Sequence, residues 1–173
     1  DPIHLLNFVK LRDIIMSKMI ICVGISNCGK SAWTEQFIKE NPNTIELNRD
    51  YVRFNIINPK ANDWADYSIS ENKENRVSCI LMEKYKEAIE QGKDVIVSDT
   101  NLSYFGRIKW LNIANQNGQK VEFVIFHKKF IETFYGNSSN FMYLPDFVIT
   151  NQYKRFTQFL DEIPVPGVKY TFI

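Results

Sequence analysis

Apolar residues follow two rhythms along this chain. Short, mainly apolar runs, Met19-Ile20-Ile21-Cys22-Val23, Asp94-Val95-Ile96-Val97-Ser98 and Val121 to Phe126, predict strands, the first of them buried. Thr44-Ile45-Glu46-Leu47 predicts a shorter strand, and Val168 to Phe172 an edge strand after the turn Pro164-Val165-Pro166-Gly167. Between these runs the spacing becomes helical. It predicts helices over Lys30 to Glu40, stopped by Asn41-Pro42-Asn43, and over Tyr51 to Ile57, closed by Asn58-Pro59. Val77, Ile80, Leu81, Ala88 and Ile89 mark a long helix ending at Gly92, and Tyr104 to Asn117 a helix ending at Gly118. A short helix near Ile131 to Tyr135, a polar loop from Gly136 to Asn140 and a last helix from Pro145 to about Leu160 follow, while Lys60 to Ser70 reads as loop.

Strands alternating with helices predict an α/β fold: a parallel sheet of four to five strands, helices on both faces, right-handed crossovers. With 173 residues, 45% of them hydrophobic, the chain can bury one full core and not two. We expect one domain over residues 19–173. Residues 1–18 are expected to be a leader or an appended extension, since Met16-Ser17-Lys18 reads as a start just before the first strand. Ile3, Leu6, Val9, Ile14 and Ile15 in that segment fit a short amphipathic helix docked on the domain. No run of about 18 apolar residues is present, so no membrane partner is expected.

Charge narrows the choices little. Lys+Arg number 21 and Asp+Glu 20, so the net charge of +1 gives no global field, and any polyanion must be held by a local patch. Cys22, Cys28 and Cys79 lack metal-ligand spacing and suit a reducing, cytoplasmic setting. His4 and His127 have no neighbour that would make them ligands or bases.

One motif changes the picture. Gly24-Ile25-Ser26-Asn27-Cys28-Gly29-Lys30-Ser31 fits G-x-x-x-x-G-K-[ST], the phosphate-binding P-loop, and it stands between a predicted strand and a predicted helix. Such a loop wraps backbone N–H groups around phosphate oxygens where the helix dipole also favours negative charge. Gly24, Ser26, Asn27, Cys28, Gly29, Lys30 and Ser31 are therefore expected to bind ATP or another nucleoside triphosphate. Lys30 would reach the β- and γ-phosphates and the Ser31 hydroxyl would hold Mg²⁺. Cys28 is read as a passive loop residue.

A P-loop alone does not separate a kinase from an ATPase, a GTPase or a motor. Asp50 and Arg53 lie three apart at the start of a helix, hence on one face, just beyond the second strand. Such a pair suits an acceptor carrying a hydroxyl, whose proton the carboxylate takes, and a phosphate, which the guanidinium binds. It equally suits a helix-start acid stabilised by the dipole beside an exposed arginine. Asp99, with Thr100, ends the third strand beside the P-loop, where a carboxylate either orders metal-bound water or orients substrate. Tyr51, Phe54, Trp64 and Tyr67 follow Asp50, and are read mainly as packing residues with base stacking as the alternative.

These stretches resemble the kinase domain of the T-even bacteriophage polynucleotide kinase-phosphatase family. The similar segments are Met19 to Phe37 with its Gly-Lys-Ser-x-Trp run, Asn48-Arg49-Asp50-x-x-Arg53, Val95 to Leu102 and, more faintly, Arg107 to Trp110 and Pro145 to Lys154. The resemblance implies ATP-dependent phosphorylation of the 5′-hydroxyl ends of DNA or RNA. It implies that Asp50 is the general base, that Arg53 binds the 3′-phosphate of the terminal nucleotide, and that Asp99 and Thr100 belong to the acceptor side.

Two departures qualify that implication. At the family's lid arginines this chain carries Gly136 and Asn140, and Tyr135 to Phe141 holds no charge. An arginine finger is worth about 10³ to 10⁵ in rate, so Lys128, Lys129, Lys154, Arg155 or a partner protein would have to supply it. The Asp-x-Asp-Gly-Thr motif of the phosphatase does not occur, and no 3′-phosphatase action is expected. A small-molecule nucleoside or nucleotide kinase and a nucleotide-binding module derived from a kinase remain the alternatives, and a homo-oligomer stays open.

Overall fold

The computed structural model describes residues 16–127, 132 and 144–173. Five strands, β1 (Lys18–Val23), β2 (Thr44–Leu47), β3 (Asp94–Val97), β4 (Lys120–Ile125) and β5 (Lys169–Phe172), form one sheet in the order β2-β3-β1-β4-β5. Every pairing is parallel, with Ile20 opposite Ile96 on one side and Glu122 on the other. β1 lies at the centre, and its residues Met19 to Val23 are fully buried, as the unbroken apolar run requires. This is the parallel α/β sheet expected from the alternating pattern, and with the loop Gly24 to Ser31 after β1 it is the P-loop kinase fold.

The helices are α1 (Lys30–Glu40), α2 (Arg49–Val52), α3 (Trp64–Tyr67), α4 (Glu71–Glu90), α5 (Tyr104–Gln116) and α6 (Asp146–Glu162). The step from β1 to β2 runs opposite to the steps from β2 to β3 and from β3 to β4, so right-handed crossovers place α1 on one face and α4 and α5 on the other. Side chains alternate across β4 accordingly: Phe123 meets Phe159 of α6, and Phe126, just past its end, meets Trp33 of α1. α4 buries Val77, Leu81, Tyr85 and Ala88 along one stripe, and the Tyr85 hydroxyl finds a buried partner in Gln119 Oε1 at 2.8 Å. Among the described residues no helix is long and apolar enough to cross a membrane.

Three local features differ from the sequence expectation. The helix predicted over Tyr51 to Ile57 starts earlier, because Asn48 caps it by accepting the Tyr51 N–H at 2.8 Å. It then widens into a π-helical turn over Arg53–Ile57, closed by Asn58 N–H on the Arg53 carbonyl at 3.0 Å. Within the expected loop Lys60 to Ser70, α3 forms where Asp63 accepts the Asp66 N–H and Tyr67 is fully buried. α4 begins six residues before Val77, at a Ser70 cap. The predicted helix near Ile131 to Tyr135, the lid with Gly136 and Asn140, Lys128, Lys129 and the segment Asp1 to Ile15 lie outside the described residues.

Candidate active site

At the carboxyl end of the sheet a cleft of about 1490 Å³ is lined by Ser26, Asn27, Gly29, Lys30 and Ser31 on one side and by Asp50, Arg53, Asp99 and Thr100 on the other. The two residue groups that the sequence singles out independently therefore share one cavity. A separate cavity of about 890 Å³ opens at the opposite end of the sheet, near Lys18, Asp94 and Lys169, and contains none of them.

The P-loop is shaped by close approach. A Cβ on Gly24 would stand 2.7 Å from Cys28 Sγ and 2.9 Å from Phe126 Cβ, so only glycine lets the loop leave β1 against β4. Gly24 N–H donates to the Thr100 carbonyl at 3.1 Å, tying the loop to the segment after β3. Asn27 and Gly29 take left-handed φ values of 62° and 97°, which turn the loop into the start of α1. That start has no capping side chain and no acid in its first turn, so its N–H groups and dipole remain suited to an anion.

Lys30 is buried, with its ammonium on the Gly24 and Ile25 carbonyls at 3.0 and 2.6 Å and beside Cys28 Sγ at 3.5 Å. Cys28 thus packs within the loop, as its passive reading requires. Ser31 is exposed at the first turn of α1. Among the described residues no group of three or more His, Cys, Asp or Glu could hold a metal. The loop, its lysine and an open hydroxyl fit a magnesium–triphosphate complex, with Ser31 as the protein ligand and water and phosphate oxygen as the others.

On the far side the charges interlock. Arg53 donates through Nε and Nη2 to both oxygens of Glu74 at 3.0 and 2.6 Å, and through Nη1 to Asp50 at 2.7 Å. Arg49 also reaches Glu74, at 2.8 Å, and Ser78. The hydrogen bonds from Arg53, against a smaller cost of burial, hold the Glu74 carboxyl down at about 2. Desolvation opposes the charge on Arg53, but the hydrogen bonds to Glu74 and Asp50 outweigh it and raise its pKa. Three of the five guanidinium N–H groups of Arg53 are engaged this way, which leaves two.

Asp99 accepts the Arg49 backbone N–H on Oδ1 at 2.8 Å. Burial of its carboxyl pushes the pKa up to about 6, with nearby Asp50 adding to the rise and the Arg49 N–H opposing it. Asn101, in a left-handed conformation, clamps the strand ends through Nδ2 to the Cys22 and Val97 carbonyls at 2.8 and 3.1 Å. Arg107, of the fainter similar segment, is buried and bonds the Asn101 carbonyl and Glu162, so it supports the site from behind.

Of the aromatic residues after Asp50, Phe54, Trp64 and Tyr67 pack on one another with ring centres 5.0 to 6.3 Å apart, while Tyr51 is exposed. Packing is the reading the structure supports for those three. Sequence reasoning missed Glu74 and Gln152, and put Asn101 at the ligand end of the third strand without a role. Glu74 reads as an ordinary acid in the first turn of a helix, and nothing near it in the chain points to Arg53 twenty-one residues earlier. Gln152 Oε1 accepts the Ser26 N–H at 2.8 Å, joining α6 to the P-loop. One turn on, Arg155 lines the cleft. Of the basic residues considered as substitutes for the lid arginines, Lys154 does not line it.

Comparison with known proteins extends this picture. A family model described as an AAA domain matches residues 19–129, from β1 through β4. A candidate bifunctional polynucleotide kinase/RNA ligase of Autographa californica nuclear polyhedrosis virus is 28% identical over 148 residues, which cover 80% of this chain and 21% of that protein. The chain thus spans 21% of the length of this curated relative. A chain in the Pnkp1/Rnl/Hen1 RNA repair complex aligns with TM-score 0.73 at 18% identity, over 88% of this chain and 49% of that one. A gluconokinase from Sinorhizobium meliloti 1021 aligns with TM-score 0.54 at 14% identity, over 91% and 83%. These two likenesses establish the fold they share with this chain.

Proposed function

The chain belongs to the AAA domain family, and on that basis and the geometry of the cleft we propose that it is a polynucleotide 5′-hydroxyl kinase using ATP and Mg²⁺. The carrying observation is that Asp50 and Arg53 line the same cavity as Lys30 and Ser31, so a hydroxyl acceptor and a triphosphate fit face to face. The 28% identical relative supports a nucleic-acid end as the acceptor, since its name couples a polynucleotide kinase to an RNA ligase. The resemblance to the T-even family points the same way.

In this reading Lys30 exchanges its two loop carbonyls for the β- and γ-phosphates, and the P-loop N–H groups hold the remaining oxygens. Mg²⁺ on Ser31 supplies charge neutralisation of the phosphates. Asp50 receives the proton of the 5′-hydroxyl as that oxygen bonds to the γ-phosphorus and the bond to the departing ADP oxygen breaks. Glu74 fixes the Arg53 guanidinium, which in turn orients Asp50 and offers its two remaining N–H groups to a phosphate of the acceptor. Asp99 and Thr100 orient the acceptor from the floor of the cleft. Arg155 is the cation placed to stabilise charge on the transferring group in place of a lid arginine.

The test is label transfer from γ-labelled ATP to a 5′-hydroxyl oligonucleotide, run beside a panel of nucleosides and with Asp50→Asn as comparison. Transfer to the oligonucleotide that falls about 10²- to 10⁴-fold in Asp50→Asn is the expected result. Undiminished transfer in that variant removes Asp50 as base. Transfer to nucleosides alone makes the protein a small-molecule kinase, and ATP binding without any transfer makes it a nucleotide-binding module.

A further inference from the structure

A second depression, about 480 Å³ in volume, runs between α5 and α6 and shares Arg49, Asp99 and Thr100 with the main cleft, so it leads away from the acceptor side. Its walls carry Lys109 from α5 and Arg155 from α6, both exposed and both without an ion pair among the described residues. Phe147, in the first turn of α6, also lines it and is 68% exposed. At the start of α5 Tyr104 and Phe105 are 54% and 82% exposed, their rings edge to face at 5.7 Å. An aromatic pair and a third ring thus stand in water beside two cations that form no ion pair among the described residues. Cations spaced along a groove match the charge of a phosphate backbone, and open ring faces match unpaired bases.

We propose that this α5–α6 groove holds the body of a single-stranded polynucleotide whose 5′ end lies in the main cleft. The inference rests on the 5′-kinase reading and adds the path of the strand beyond its terminal nucleotide. Lys109, which lines this groove and not the main cleft, contacts a backbone phosphate, and Phe147 stacks on a base. Duplex ends bind poorly unless they fray, because paired bases do not present their faces to Phe147. An acceptor limited to one nucleotide reaches the Asp50 side without touching Lys109 or Phe147, neither of which lines the main cleft.

The experiment compares Lys109→Ala and Phe147→Ala with the parent chain on two acceptors, a 3′-phosphorylated mononucleoside and a 5′-hydroxyl 12-mer. Each variant should keep the parent's thermal midpoint and mononucleotide kcat/KM, while KM for the 12-mer rises about tenfold in Phe147→Ala. In Lys109→Ala the salt dependence of 12-mer kcat/KM should flatten by about 0.7 in logarithmic slope. Equal losses on both acceptors, or no loss on either, overturn the groove. Anisotropy of a labelled 12-mer bound to the full chain without ATP separates the two proposals. A chain that transfers phosphate to neither acceptor yet binds the 12-mer through Lys109 and Phe147 refutes the kinase reading and keeps the groove. A chain that phosphorylates the mononucleotide but binds the 12-mer no more tightly refutes the groove and keeps the kinase.

Discussion

Around the P-loop, position is fixed by backbone conformation and close packing, whereas around Asp50 it is fixed by charges drawn from three separate stretches of chain. Gly24 is pressed between Cys28 and Phe126, and Gly29 turns the chain at a φ of 97°. Across the cleft, Glu74 from α4 holds Arg49 and Arg53, Arg53 in turn holds Asp50, and Asp99 just past β3 accepts the Arg49 N–H. Close packing is insensitive to pH and salt, while a partly exposed ion network responds to both. One wall of the cleft is therefore rigid by shape and the other adjustable by charge.

Substitutions on the two walls should separate these behaviours. Beside Asp50→Asn, the next largest effect is expected from Lys30→Ala, which removes the cation from the P-loop and should lower phosphoryl transfer by about 10² to 10³ in kcat, read by label transfer. Gly24→Ala should cost about 2–3 kcal/mol in stability by overpacking against Phe126, and should weaken ATP binding without altering acceptor KM, read by thermal unfolding and titration. Glu74→Gln should cost about 2 kcal/mol and raise acceptor KM, with ATP affinity unchanged, because only the Asp50 wall is loosened. Equal damage to both ligands in either of these two variants would break the distinction.

The remaining effects are pH-dependent and confined to the charged wall. Glu74 is held at about 2 against 4.5 for the free group, so its stabilisation is complete above 4.5 and is lost as pH falls toward 2. Glu74→Gln should therefore differ most from the parent at neutral pH and least in acid. Asp99 has the opposite sign: at about 6 against 3.8, it binds its proton more tightly when folded, so ionising it costs stability as pH rises from 3.8 through 6. Asp99→Asn, which keeps an oxygen for the Arg49 N–H, should be up to about 3 kcal/mol more stable than the parent at pH 7 and close to it below pH 4. Urea unfolding at both pH values measures this difference.

The two walls also differ in how much of them the chain announces. The P-loop is local: eight consecutive residues between an apolar run and a helix fix both its shape and its chemistry, so the motif is legible without the fold. Asp50 and Arg53 are legible as neighbours on one helical face, and their 2.7 Å contact follows from the spacing. Their tie to Glu74 is not, because it depends on how α2 and the π-helical turn lie against α4. The helix α3 was hidden for a similar reason: Trp64-Ala65-Asp66-Tyr67 is too short to show a period, and forms because Tyr67 is buried against Phe54 and Trp64.

By itself the sequence determined the sheet, its parallel sense and the triphosphate-type loop, since each of these follows from periodicity or from backbone chemistry within a short stretch. Tertiary structure alone decided which polar groups meet across separate elements. It put Glu74 on Arg53, Gln152 on the Ser26 N–H and Arg155 over the cleft, contacts that span 21 to 126 residues of chain or join separate elements. Local pattern encodes the conformation of a segment and its i,i+3 and i,i+4 pairs, but the partners of its charged side chains in other elements are set only when the segments pack.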